Sequence, residues 1–105
     1  MAGKTEHGWR VVSERAWLYV YAFAKNGTAN CFAIRLANGG VVVLSPALGL
    51  SEGAYADLDQ LGEVTALVAT NGHHHLGIGA FRRRFPNARV YAPARIAKRN
   101  PSALA

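Results

Sequence analysis

The sequence predicts an α/β chain in which a mixed β-sheet carries its helices on one face. Three observations point there. Turn signals at Asn26-Gly27 and at Asn38-Gly39-Gly40 separate runs rich in aromatic and β-branched residues. After Pro46 the apolar period changes from that of a strand to that of a helix. Short apolar runs, "VVVLS" and "VTALVAT", then alternate with helical segments, which is the order of a layered sheet-and-helix architecture.

Residues 1–8 are polar and read as a flexible tail; residues 9–105 read as a single domain, or part of one. "WRVVSERAWLYVYAF" mixes alternation with a continuous aromatic run and predicts one or two strands. "KNGTAN" turns the chain, "CFAIRL" alternates as the next strand, and "ANGG" turns it again. "VVVLS" reads as a strand covered on both faces and closed by Pro46. Ser51 is a good N-cap with Glu52 at the positive end of the helix dipole. Ala54, Tyr55, Leu58 and Leu61 then share one face, with Asp57 and Asp59 turned elsewhere, and Gly62 ends the helix. "VTALVAT" is a buried strand. Leu76–Phe85 predicts a second helix, stopped by Pro86, and "ARVYAP" a last strand. "ARIAKR" can begin another helix before Pro101.

Half of the 105 residues are apolar, enough for a core in a chain this short but not enough to cover it fully. The lone cysteine, Cys31, excludes an internal disulfide and a cysteine-type zinc framework. With no apolar leader segment at the start, a cytoplasmic location is expected. No run approaches the roughly 20 apolar residues of a membrane span. The net charge of +6 is unevenly placed: every acid lies at or before Glu63, and only basic residues follow, from Arg82 to Arg99. Either a nucleic-acid partner or compensating acids in a further part of the protein would balance them. Nucleic acid is the less favoured of the two, because no aromatic residues interleave with the arginines.

Chemistry concentrates in "VTALVATNGHHHLGIGAF". A strand end followed by a tight loop is where α/β folds converge side chains on a crevice. Neutral imidazole is the commonest metal ligand. In an extended loop His73 and His75 project to one side and His74 to the other. Two ligands fall short of the three or four that zinc normally takes from protein. The alternative is structural: the histidines cap the following helix and bond loop carbonyls, with Asn71 as a turn residue rather than a support for a metal ligand. Gly72, Gly77 and Gly79 are expected to let the loop turn tightly, and His7 to be solvated in the tail.

The stretch "VTALVATNGHHHLGIGAFRRRFPNARVYAP" resembles the first metal-binding segment of the metallo-β-lactamase superfamily, Thr-His-x-His-x-Asp-His-x-Gly-Gly between a strand and a helix. Upstream, "ANCFAIRLANGGVVVLSPAL" stands where that superfamily's second and third strands lead to an Asp-Thr-Gly turn. The likeness is closer still to a branch of domains of unknown function with a degenerate histidine motif. The matching positions are Ser45-Pro46, Leu61-Gly62-Glu63-Val64, Asn71-Gly72-His73-His74-His75-Leu76 and "FPNARVYAPA". The match covers roughly residues 29 to 97.

In that register Asn71 replaces the first histidine, His73 keeps the second, His75 replaces the aspartate and Leu76 the last histidine. The resemblance implies the N-terminal half of a four-layer αββα sandwich. It implies a metal-dependent hydrolase as a full-length protein, possible zinc held weakly by His73, His75 and His74 with Asn71 in support, and no activity for this chain alone. A missing C-terminal half, or a homodimer formed through an exposed sheet face, is the partner it implies. A non-catalytic domain that binds a small ligand or protein is the alternative.

Overall fold

The computed structural model describes residues 3–24, 27–47, 49–69 and 77–92. Within them lie six strands and two helices: β1 (Arg10–Ser13), β2 (Ala16–Ala24), β3 (Gly27–Arg35), β4 (Gly40–Leu44), α1 (Glu52–Leu61), β5 (Glu63–Val68), α2 (Ile78–Arg84) and β6 (Arg89–Tyr91). The strands form one mixed sheet in the order β1-β2-β3-β4-β5-β6. The first four are an antiparallel meander, and β4, β5 and β6 run parallel. Parallel neighbours need a crossover, and α1 and α2 supply the two. The "WRVVSERAWLYVYAF" run divides into two strands at the Glu14-Arg15 turn, whose Arg15 N–H donates to Ser13 Oγ at 3.2 Å. β3 begins at Gly27, four residues before the predicted "CFAIRL". The expected 94–99 helix lies outside the described residues.

Turn chemistry fixes the register between β3 and β4. Gly39 adopts φ 87, a left-handed conformation that glycine takes without strain, and Asn38 Oδ1 accepts from the Gly40 N–H at 2.8 Å. Pairing then sets Ala33 against Val43 and Ile34 against Val42. In this register Ala33, Val43 and Val41 face the helices and are fully buried.

One core lies between the sheet and the two helices. Leu58 and Leu61 from α1, Phe81 from α2 and Phe85 just after it pack on Val41, Val43, Val64 and Leu67. Tyr55 meets Phe81 edge-on at 5.0 Å between ring centroids. Each face-forming residue of α1 named from the sequence is buried there. Ser51 caps the helix, its Oγ accepting from the Ala54 N–H at 3.2 Å, and the Gly62 N–H bonds Leu58 O. Asp57 departs from expectation: it is buried, because His7 covers that side of the helix and its backbone N–H donates to Asp57 Oδ2 at 3.0 Å.

Among residues 3–8, read from the sequence as a flexible tail, backbone hydrogen bonds reach the start of the sheet. Thr5 N–H bonds Trp9 O and Val11 N–H bonds Gly3 O, both at 2.7 Å. The anchor is Trp9, fully buried, whose Nε1–H donates to Ala54 O at 2.9 Å while its ring packs on Trp17 and Tyr19.

The opposite face of the sheet is different. β4 was expected to be covered on both sides, yet its burial alternates, with Val41 and Val43 buried and Val42 and Leu44 only half-buried. Phe32 and Ile34 on β3 and Ala66 and Val68 on β5 share that side and are likewise half-buried. Among the described residues no helix or strand lies over it, because both crossovers pass on the other side.

Candidate functional site

Parallel strands bring the C-terminal ends of β4, β5 and β6 to one edge of the sheet. The ladder runs on past the strands, with Ser45 N–H donating to Val68 O at 2.7 Å and Ala69 N–H to Tyr91 O at 2.9 Å. Immediately beyond β4 the backbone turns at Ser45, whose φ of 54 is the one left-handed non-glycine conformation among the described residues. Ser45, Pro46 and Ala47 are all buried. They form a shelf across the strand ends.

That shelf receives the start of α2. Gly77 sits against it so closely that a Cβ there would collide with the carbonyl oxygens of Pro46 and Ala47. Its backbone is helical, φ −82 and ψ −8, so the glycine is needed for space rather than for an unusual turn. The sequence expectation that Gly77 serves loop turning is corrected to close approach. Gly79 has ordinary room around it. Ala69 and Gly77, which flank the histidine segment in the sequence, are both buried. His73, His74 and His75, and Asn71 with them, lie outside the described residues.

The fourth histidine is described. His7 is exposed, as expected, but its ring lies against Gly53 in the first turn of α1. The sequence gives little sign of this, since a polar segment flanked by glycines carries no apolar period.

Other donors near the strand ends are few. Cys31 is fully buried, and the pairing of Phe32 with Leu44 carries it toward the Ser45–Ala47 shelf. Burial pushes its thiol up to about 12, against a smaller opposing effect of the Ala47 backbone N–H. Burial therefore favours the protonated thiol at neutral pH. Burial likewise raises Tyr21 and Tyr55. The acids are placed elsewhere. Glu52 and Asp59 hold Arg84, at 2.7 Å to its Nε and 2.8 Å to its Nη2, and Glu63 stands at the first position of β5, the opposite end from the shelf. Among the described residues no group of three or more His, Cys, Asp or Glu could hold a metal ion.

No protein-family model matches the sequence, and no curated protein matches it. Solved structures do match its fold. On the metallo-β-lactamase FIM-1 from Pseudomonas aeruginosa, in its mono-zinc form, 95% of this chain superposes with a TM-score of 0.64 and 14% identity, covering 47% of that chain. On a metallo-β-lactamase from Pontibacter korlensis, 96% superposes with a TM-score of 0.62 and 18% identity, covering 49%. The chain therefore has the metallo-β-lactamase fold over about half the length of the structures it matches, consistent with the N-terminal half that the motif order implies. Among the described residues no helix is long and apolar enough to cross a membrane.

Proposed function

We propose that this chain is one part of a metallo-β-lactamase-like, metal-dependent hydrolase whose metal site is degenerate, and that it is inactive on its own. One observation carries this reading. Three consecutive histidines follow β5 and precede α2 in a fold shared with metallo-β-lactamases, and the buried Ala69 and Gly77 flank that segment. His73 and His75 would hold zinc, with His74 as a further donor and Asn71 in support. A bound metal would supply an activated water.

In kind these donors fit zinc; in number they do not. Glu52 and Asp59 are committed to Arg84, and Glu63 lies at the opposite end of β5. No hydrolytic step follows from such a set. Titration calorimetry with zinc tests the reading. Weak binding is expected at neutral pH, lost in His73→Ala and falling away below about pH 6 as the imidazoles protonate. Equal and absent heats in the native chain and the variant would remove the metal from the proposal. A non-catalytic domain would then remain, with the histidine segment structural or binding a small ligand or protein.

A further inference from the structure

We infer that the outward side of α2 holds a binding site for a small organic phosphate, with Arg82 and Arg83 as its cationic wall. The site lies in the helix layer, and the inference does not depend on whether the histidine segment binds metal.

Helix α2 leads from the strand-end shelf toward the start of β6, with Ile78 and Phe81 buried on its inner side. Gly79, Arg82 and Arg83, together with Pro86, line a cavity of about 340 Å³. Cavities of roughly 300 Å³ and above take small organic molecules. Gly79 leaves its floor bare. A Cβ there would meet no core atom within 4 Å, only Arg83 Nη1 at 3.6 Å. The Arg83 guanidinium therefore folds back over Gly79, one turn earlier, instead of reaching away into solvent. Inside a helix glycine costs about 1 kcal/mol relative to alanine. Neither crowding nor a positive φ accounts for one at this position. What the missing methyl leaves is room beside a cation.

Charge decides what kind of molecule. All six acids of the chain are among the described residues, and none of them lines this cavity. Glu52 and Asp59 hold Arg84, and the buried Asp57 accepts from the His7 N–H. A basic residue in the last turn also answers the carbonyl end of a helix, which accounts for one arginine but not for a cavity walled by two. The cationic ground is narrow. Across Pro86 the neighbouring groove is lined by Asp59 and Glu63. A long polyanion laid over the helix layer would run from the arginines onto these carboxylates, whose like charge opposes it. A phosphate monoester is compact enough to avoid them. Its charge of about −1.5 to −2 at neutral pH matches two guanidiniums, whose planar forks bind phosphate oxygens in pairs. Pro86 offers the organic part an apolar surface.

Titration calorimetry on the chelator-treated chain at low salt tests this, with adenosine 5′-monophosphate, ribose 5-phosphate, adenosine and inorganic phosphate. Both esters are expected to bind, about tenfold or more tightly than adenosine, which lacks the phosphate. They should also bind severalfold more tightly than inorganic phosphate, which lacks the organic part. Arg83→Gln should weaken both esters about tenfold. Arg89→Gln removes the same charge from an exposed arginine that pairs with Ala66 on the sheet face away from α2, and should change neither by more than about twofold. Gly79→Ala should weaken the esters severalfold while the denaturation midpoint stays level or rises. Equal losses in Arg83→Gln and Arg89→Gln would reduce the effect to net charge and overturn the inference. So would esters that bind no better than adenosine or than inorganic phosphate. A short DNA duplex that binds through Arg83 more tightly than either ester would make a polyanion the occupant and overturn it too.

Discussion

Gly77 and Gly79 stand two residues apart in the same short helical segment and should respond to alanine in opposite ways. At Gly77 a Cβ meets the backbone oxygens of Pro46 and Ala47, which cannot rotate aside. Gly77→Ala should therefore cost roughly 1–3 kcal/mol in chemical denaturation. At Gly79 the nearest atom to such a Cβ is Arg83 Nη1 at 3.6 Å, an ordinary contact. Gly79→Ala should be neutral or stabilise by about 0.5–1 kcal/mol through helix propensity. Cys31 gives a prediction in pH. Burial raises its thiol from an ordinary value of 9.0 to about 12, so the folded state keeps a proton that the unfolded chain loses first. Its contribution is complete below about pH 9 and is lost as pH rises from there to about 12, by at most about 1.4 kcal/mol per pH unit. Tyr21 and Tyr55, also raised, act with the same sign. Denaturation midpoints at pH 8, 9.5 and 10.5 should fall more gently in Cys31→Ala than in the native chain.

Helix α1 shows how one element is held from several sides. Its cap is local: Ser51 Oγ accepts from the Ala54 N–H, and Ser51→Ala should cost about 1 kcal/mol in stability. Its outer side is held from far along the sequence, where Trp9 Nε1–H bonds Ala54 O and the His7 N–H bonds Asp57 Oδ2. Trp9→Phe keeps most of the apolar contact and removes the indole donor, so a loss of about 1–2 kcal/mol is expected from thermal or denaturant unfolding. The ion pairs of Arg84 with Glu52 and Asp59 link α1 to α2, but both carboxylates are well exposed and Arg84 is only half-buried. Arg84→Ala should therefore change stability by about 1 kcal/mol or less, and less still at high salt.

For the whole molecule the expectation is binding without turnover. Hydrolysis in a metal site needs an ordered hydroxide, an open coordination position and groups that hold the substrate. Purified chain supplied with zinc or manganese should hydrolyse β-lactam, thioester and phosphodiester substrates no faster than background. Turnover that vanishes in a His73→Ala/His75→Ala double variant would show that the site is completed in some other way, as by two chains together.

The order of elements was legible in the sequence because each signal is local. Asn38-Gly39 specifies its own turn, Ser51 its own cap, and the spacing of Ala54, Tyr55, Leu58 and Leu61 its own apolar face; the metallo-β-lactamase likeness followed from that order and from the histidine motif. The outer limits of elements were less legible. β3 reaches back to Gly27 because pairing with β2 supplies hydrogen bonds that the polar residues "GTAN" could not earn by themselves. The segment before Trp9 has no period of its own, and the tertiary fold alone seats it, by burying one indole and covering Asp57. Gly77 looked like a turn residue, and only the approach of Pro46 and Ala47, some thirty positions earlier, shows that it answers to space. The two faces of β4 were equally apolar in sequence and became unequal because both crossover helices pass on one side. A sequence can state which residues avoid water; which of them find cover depends on where the rest of the chain runs.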